Sequence, residues 1–113
     1  MGKIKIETRI SREKERLYNL MDGLDKNKLD VCEPLIDRAA FLRVNLEDLE
    51  VKLNQDGWTE EYWNGKGQHG IKKSSAAEVH IALTKNLSVI ARQLLDLVPP
   101  EQKHSKLQEL MKK

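Results

Sequence analysis

The chain has 113 residues, enough for a single domain but too few for a dinucleotide-binding domain with a separate substrate domain. Charged residues make up 34% of it, and no apolar run approaches the ~20 residues of a membrane span, so we expect no membrane partner. Charges also interrupt the apolar positions near the amino terminus, which argues against a signal peptide, and the lone cysteine excludes an internal disulfide. We therefore expect a cytoplasmic protein.

The first predicted element is an amphipathic helix near the amino terminus. Apolar residues recur there at intervals of four and three, the period of one helix face. Glu13 occupies the one missing position of this stripe, and Gly23 is expected to end the helix. Basic residues outnumber acidic ones in this segment and again at the carboxyl end, although the net charge is only +2. The stripe consists of Ile6, Ile10, Leu17, Leu20 and Leu24.

The second predicted element is a long helix that ends at Asp56 and Gly57. Asp25 or Asn27 can cap its amino terminus. Pro34 lacks an amide hydrogen and clashes one turn back, so we expect a kink there or a helix that starts close to it. The apolar stripe of this helix consists of Leu35, Ala39, Leu42, Leu46, Leu49 and Leu53.

A polar connection follows, and one part of it, Gly65 to Gly70, matches the pattern G-x-G-x-x-G. In a dinucleotide-binding fold these glycines follow a buried apolar strand and open directly into a helix. Neither condition holds here, and the lysine of the alternative phosphate-binding motif is displaced by one residue. We expect instead a β-hairpin or compact loop over 58–73, with Asn64 and Gly65 in a tight turn.

Two tryptophans and three lysines of this connection have two interpretations each. Trp58 and Trp63 either cap the end of the helical layer or stack on a base or on the surface of a partner. The three lysines either contact phosphates or lie in an ordinary solvated turn. They are Lys66, Lys72 and Lys73.

A third helix is predicted from Ser75, which forms a capping box with Glu78, to Pro99 and Pro100. A middle helix of about 28 residues is ~40 Å long. Helices of that length expose more apolar stripe than one small chain can cover, so we expect packing against other copies. The alternative is an antiparallel helical hairpin with its own core. The stripe of the third helix consists of Val79, Leu83, Leu87, Ile90, Leu94 and Leu97.

The sequence contains no recognisable set of catalytic or metal-binding residues. His69, His80 and His104 are scattered and lack the spacing of metal ligands. Cys32 is expected to be a small buried apolar group. We therefore expect no enzyme, no cofactor and no metal.

The order of the segments resembles a known family. The helical stretch LIDRAAFLRVNLEDL, the polar hairpin YWNGKGQHGIKKS and the long helix IALTKNLSVIARQLLDLVP are similar to terminase small subunits from phages of low-GC Gram-positive bacteria. The resemblance covers roughly residues 17–100, and many relatives have a proline where this chain has Lys73 and Ser74. It implies a mainly α-helical, non-enzymatic ring in the host cell cytoplasm. Such a ring binds double-stranded viral DNA and regulates the ATPase and nuclease of the terminase large subunit.

On this interpretation residues 1–98 form a helical domain for oligomerisation and DNA binding, and residues 99–113 form a flexible tail that docks on the large subunit. The expected DNA contacts are Lys3, Lys5, Arg9, Arg12 and Arg16, followed by Lys66, Lys72 and Lys73. The expected oligomerisation residues, facing one another within or between subunits, are Leu35, Leu42, Leu46, Leu49, Leu53, Leu83, Leu87, Ile90 and Leu94. The expected docking residues of the tail are Leu107, Leu110 and Met111.

Two other functions fit parts of the sequence. The chain could be a helical adaptor or scaffold that self-associates without binding DNA. A small DNA-binding regulator would place a helix-turn-helix over Leu20–Leu42. Against that regulator, Asp30, Glu33 and Asp37 lie where a helix that reads a DNA groove needs Arg or Asn.

Overall fold

The computed structural model describes residues 4–63, 65 and 67–112, which form a mainly α-helical chain with one antiparallel hairpin. The three predicted helices and the predicted hairpin are confirmed, and a short fourth helix follows them. The elements are α1 (Ile6–Leu20), α2 (Lys26–Asp56), β1 (Thr59–Trp63), β2 (His69–Lys73), α3 (Ser75–Asp96), a 3-10 turn (Pro100–Gln102) and α4 (Lys103–Met111).

Local sequence determines where α1 ends and where α2 begins and ends. Gly23 follows α1 with a φ of +94°, a left-handed conformation that side chains rarely adopt. Asp25 caps α2, and its Oδ1 accepts a hydrogen bond from the amide of Lys28 at 2.9 Å. Gly57 closes α2, also with a φ of +94°. The helix continues through Pro34, so it begins well before this proline and not beside it.

The cap of α3 differs from the prediction by one residue. Ser74 is the cap, and its Oγ accepts a hydrogen bond from the amide of Ala77 at 3.1 Å. Ser75 is then the first helical residue, and Glu78 lies one position too far along for a capping box. Two adjacent serines make the local pattern ambiguous. The hydrogen bond from the Ser74 amide to the carbonyl of Trp58, at 3.0 Å, ties Ser74 to the base of the hairpin.

The hairpin pairs its strands from Thr59 with Lys73 to Trp63 with His69. Residues 64–68 lie between the two strands, so the strands do not pair directly across Asn64 and Gly65, the residues expected to form the turn. Asn64 itself lies outside the described residues.

α2 is the centre of the helical part, and α1 and α3 pack along it in the opposite direction. Arg9 near the start of α1 contacts Glu47 far along α2, and His80 near the start of α3 contacts Glu50 of α2. α4 packs against both α1 and α3. The main buried cluster consists of Leu17, Met21, Cys32, Ile36, Ala39, Ala40, Leu94, Val98 and Leu110.

The predicted leucine stripes pack mostly inside the chain, which gives it a core of its own. Of the stripe members, Ile6 and Val79 remain exposed, and apolar residues off the stripes, among them Phe41 and Val89, are exposed as well. Of the predicted oligomerisation residues, Leu42, Leu46, Leu53 and Leu94 are buried, and Leu35, Leu49, Leu83, Leu87 and Ile90 are partly buried.

The segment expected to be a tail contains the 3-10 turn and α4. Leu110 of α4 belongs to the buried cluster, and the carbonyl of Glu109 accepts a hydrogen bond from Nη1 of Arg16 at 3.1 Å. Leu107 and Met111 are exposed. The three apolar residues expected to dock on a partner therefore do not share one surface, because Leu110 faces the core.

Candidate nucleic-acid and self-association surfaces

Three of the basic residues predicted to contact DNA lie in one groove between α1 and α2, which we call the arginine groove. Their spacing of three and four residues places them on one face of α1. Lys5 is exposed just before α1, and Lys3 lies outside the described residues. The groove is lined by Arg9, Arg12 and Arg16 together with Glu13, Val44 and Glu47.

Arg9 is held by two carboxylates of α2. Its Nη1 donates to Oδ1 of Asp48 at 2.6 Å, and its Nη2 donates to Oε1 of Glu47 at 3.3 Å. The hydrogen bond with Asp48 is the main reason that the pKa of the Arg9 guanidinium is raised above its ordinary value. Two of the donors that Arg9 could direct at a phosphate are therefore already in use.

Arg16 forms a second pair with Glu13, one turn earlier on α1. Nε and Nη2 of Arg16 donate to the two carboxylate oxygens of Glu13 at 3.0 and 2.8 Å, a bidentate geometry. This hydrogen bonding raises the pKa of the Arg16 guanidinium. Glu13 is only 4% exposed, so the pair explains how a carboxylate occupies a position of the apolar stripe.

Arg12 is the arginine of this groove whose charge stays available. Its side chain is exposed and makes no ion pair with the residues that the structure describes. Lys14 on the same helix lies 3.4 Å from Asp37 and is paired. The predicted basic residues therefore lie close together, but among those that the structure describes the unpaired charge comes mainly from Lys5 and Arg12.

The hairpin is exposed along almost its entire length, and its register places alternate residues on two faces. We call the face with Glu60, Tyr62, Gly70 and Lys72 the closed face. Nζ of Lys72 lies 3.5 Å from Oε1 of Glu60, so this predicted DNA contact is paired. The Tyr62 ring covers Gly70, where an added Cβ would lie 2.7 Å from the Tyr62 hydroxyl oxygen.

The other face, which we call the open face, presents an aromatic pair to solvent. Trp63 stacks on His69 with ring centroids 4.7 Å apart and planes at 27°. Trp63 and Ile71 are each 68% exposed, and Lys73 is exposed as well. Lys66, the remaining lysine of the predicted basic tip, lies outside the described residues. The open face consists of Thr59, Glu61, Trp63, His69, Ile71 and Lys73.

Trp58 lies at the base of the hairpin and contacts α3. Its ring packs edge-to-face on His80 with centroids 5.2 Å apart, and Nε2 of His80 lies 2.9 Å from Oε2 of Glu50. This contact fits the interpretation in which a tryptophan caps the end of the helical layer. Trp63 does not share that contact, because it stacks within the hairpin and faces water.

A second exposed surface lies on α2 around Phe41. This side chain is 45% exposed, and the guanidinium carbon of Arg38 lies 5.8 Å from its ring centroid. Phe41 separates a groove along α1 from a groove along α3. We define the Phe41 surface by residues of both grooves, which are Ile10, Pro34, Arg38, Phe41, Leu83, Val89 and Ile90.

Comparison of the chain with protein-family models, with curated proteins and with solved structures finds no match. Within residues 4–63, 65 and 67–112, no helix is long and apolar enough to cross a membrane. In the same part of the chain, no group of three or more His, Cys, Asp or Glu side chains is placed to hold a metal ion.

Sequence reasoning missed Phe41, Val89 and Asp48. Phe41 and Val89 lie off the leucine stripes, and an apolar residue off the stripe of an amphipathic helix is a signal that could have identified both. Asp48 had no such signal, because its partner Arg9 lies 39 positions away in the chain.

Proposed function

We propose that the chain is a terminase small subunit. In this role it is a non-enzymatic protein that assembles with copies of itself, binds double-stranded viral DNA and regulates the ATPase and nuclease of a large subunit in the host cell cytoplasm. The observation that carries the proposal is the Phe41 surface, a partly apolar surface of α2 and its two neighbouring helices on which Phe41 and Val89 are exposed. The order of helices and hairpin, on which the family resemblance rests, supports it as well.

The shape of the Phe41 surface supports contact between copies. Phe41 forms a ridge with a groove on each side, so the ridge of one copy fits a groove of another. Arg38 and Asn86 supply polar groups at the edge, and aromatic and arginine side chains are enriched in protein interfaces. Two copies that meet ridge to groove through this one surface can form a two-fold pair, whereas a ring requires that each copy place its ridge in a groove of the next copy.

The small unpaired charge on the described basic face of α1 is consistent with DNA binding by an assembly. Lys5 and Arg12 neutralise one or two phosphates, so one chain binds DNA weakly and with a shallow salt dependence. Each further copy adds its own contacts, and both the affinity and the salt dependence rise with copy number.

The proposed contact with the large subunit uses the exposed residues of α4. Leu107 and Met111 can contact a partner while Leu110 stays in the core. A variant with Leu107→Ser and Met111→Ser should keep its oligomeric state and lose stimulation of the large subunit's ATPase. Deleting α4 is a poorer test because it also removes Leu110 from the core.

The test of the whole proposal measures mass and DNA binding for three forms of the chain. We expect native mass spectrometry to show the wild type as a multimer. Phe41→Ser should shift it towards monomer with unchanged helical circular dichroism. Val51→Ser, which removes a comparably exposed apolar side chain outside both grooves of the Phe41 surface, is the matched control. A wild type that is a well-folded monomer at micromolar concentration would refute the proposed assembly.

The second candidate, an adaptor that self-associates without binding DNA, is favoured by one observation. Arg9 and Arg16, two of the predicted DNA contacts, are paired with carboxylates of the same chain. Mobility-shift assays with duplex DNA at two salt concentrations separate the two functions. If the chain is a terminase small subunit, it should retard duplex DNA in the gel at low salt and release the DNA as the salt concentration rises. A multimer that leaves DNA unshifted at both concentrations is the adaptor.

A further inference from the structure

The hairpin exposes apolar side chains without using them to build the core. A two-stranded ribbon is marginally stable by itself and is normally covered by other elements. Here Trp63 and Ile71 are each 68% exposed, and the main buried cluster contains no residue of either strand. The base is nevertheless held in place, because Trp58 packs on His80 of α3 and accepts a hydrogen bond from the amide of Ser74. The hairpin therefore projects from the helical part of the chain and is held in place at its base.

The two faces of the ribbon differ in whether their groups already have partners. On the closed face Lys72 pairs with Glu60, and Tyr62 lies over Gly70. On the open face Trp63 uses one side of its ring against His69, and the residue remains 68% exposed. The open face is therefore the side of the ribbon on which a planar ligand can stack.

We propose that the Trp63–His69 pair is a stacking platform for an exposed nucleobase, and that Lys73 contacts a phosphate of the same strand. This inference rests on the proposed DNA-binding function and adds where and how a base is contacted. Every nucleobase has a π-face, so stacking on an exposed tryptophan tolerates any sequence. Lys73 supplies a cation on the same face, which a nucleic acid needs and an apolar protein surface does not.

The spacing along the hairpin allows one nucleic-acid strand to contact both Trp63 and Lys73. Lys73 and Trp63 lie at opposite ends of the paired region, which spans about 13 Å at ~3.3 Å per residue. That distance is the axial rise of about four nucleotides of B-form DNA. Glu61 lies between them on the open face and opposes a phosphate, so its charge limits the affinity. The exposed base can come from a single strand or from a duplex whose bases are unstacked.

The experiment uses the full chain with Trp58→Phe, which leaves Trp63 as its lone tryptophan. Its fluorescence is titrated with a single-stranded oligonucleotide, with an abasic oligonucleotide of equal length, and with a duplex. We expect the single strand to quench Trp63, and the abasic strand, which has the same charge but no bases, to leave it unquenched. Quenching by the duplex as well would identify unstacked duplex bases as a second source of the ligand.

Three further variants test which side chains of the hairpin contact the nucleic acid. Trp63→Ala should weaken binding of the single strand about five- to hundredfold, the range expected for loss of one base–aromatic stack. Tyr62→Leu, which removes an aromatic ring from the closed face, is the matched control and should change affinity less than twofold. Glu61→Gln should tighten binding, because it removes a negative charge beside the proposed phosphate contact.

Each contrary result has a distinct meaning. Equal quenching by the abasic strand overturns the stacking platform, and so do equal losses of affinity for Trp63→Ala and Tyr62→Leu. If the chain still retards duplex DNA in the mobility-shift assay, the proposed DNA-binding function stands without the platform. Failure to bind any of the three nucleic acids overturns the DNA-binding function together with the platform. Dissociation of the multimer by Trp63→Ala overturns the platform too, because the open face would then be a contact between copies.

Discussion

The contact between α1 and α2 pairs its arginines with carboxylates, whereas the open face of the hairpin presents an aromatic ring and a lysine to solvent. Between the helices, Arg9 is bonded to Glu47 and Asp48, and the buried carboxylate of Glu13 is held by Arg16. On the open face of the hairpin, Trp63 and Lys73 face solvent. The difference shows that a basic residue counts toward a binding surface only after the acidic side chains of neighbouring helices have been located. Counting charges along a sequence overestimates what a helical surface offers to DNA.

The same comparison separates stability from binding. The helices bury the apolar side chains that stabilise the chain, whereas the strands of the hairpin bury almost none. Substitutions in the helical core should therefore lower stability strongly, and substitutions on the open face should change binding with little effect on unfolding.

Leu94→Ala should destabilise the chain most. Leu94 of α3 is completely buried in the main cluster. Truncation of a buried leucine costs about 2–5 kcal/mol, through the loss of apolar burial and the cavity that remains. Urea unfolding followed by circular dichroism measures the change. Val79→Ala on the same helix, at a side chain that is 49% exposed and outside the Phe41 surface, is the control and should stay within about 0.5 kcal/mol. Similar losses for both would contradict the placement of α3.

Glu13→Gln should cost less, about 1–3 kcal/mol in the free energy of unfolding. Both carboxylate oxygens of Glu13 accept from Arg16, and an amide can accept at one atom only, which leaves a donor of Arg16 facing an NH₂ group. The Arg16 side chain is 30% exposed, so water offsets part of this loss and favours the lower end of the range. Glu15→Gln, at an exposed position of the same helix, is the matched control. Equal stability of the two variants would show that the buried pair contributes nothing.

Alkaline pH should destabilise the chain by a smaller amount. Burial raises the pKa of the Cys32 thiol above its ordinary value of 9.0, and burial with the nearby carboxylates Glu33 and Asp37 raises the pKa of Tyr18 above 10.0. Because the folded chain keeps these protons longer, their contribution is complete below pH 9 and is lost as the pH rises through the folded pKa values. The slope should reach at most about 1.4 kcal/mol per pH unit for each group. Urea unfolding on either side of pH 9 measures the loss, and Cys32→Ala should flatten it. A slope that is the same in Cys32→Ala would exclude the thiol as its cause.

Patterns confined to one helix predicted most of the fold. The leucine stripes placed the three helices, Gly23 and Gly57 marked two ends, and Asp25 marked one start. Full burial of Cys32 was also predicted correctly. These features depend on residues three or four positions apart, or on backbone conformations that favour glycine, so the sequence contains the information locally.

Features set by contacts between distant segments were not predictable in this way. The adjacent serines Ser74 and Ser75 offer two caps with equal local merit, and the structure uses the one beside Trp58. The pairing of Arg9 depends on how α1 is registered against α2, which no local period reveals. Likewise, the sequence groups Leu110 with the exposed residues Leu107 and Met111, and only the packing of α4 against the core shows that Leu110 is buried.

The smallest expected effect is also the most direct test of whether paired and unpaired arginines differ. Arg12→Ala removes an exposed charge without an ion pair among the described residues, so stability should change by less than about 0.5 kcal/mol. If the chain binds duplex DNA as proposed, the slope of log affinity against log salt should fall by about 1 for each phosphate contact that a copy loses. Arg9→Ala should lower that slope less, because Glu47 and Asp48 already hold its guanidinium, and should cost up to about 1 kcal/mol of stability. Equal slopes for the two variants would mean that Arg9 leaves its carboxylates when DNA binds. The arginine groove would then provide more charge than its unpaired residues alone.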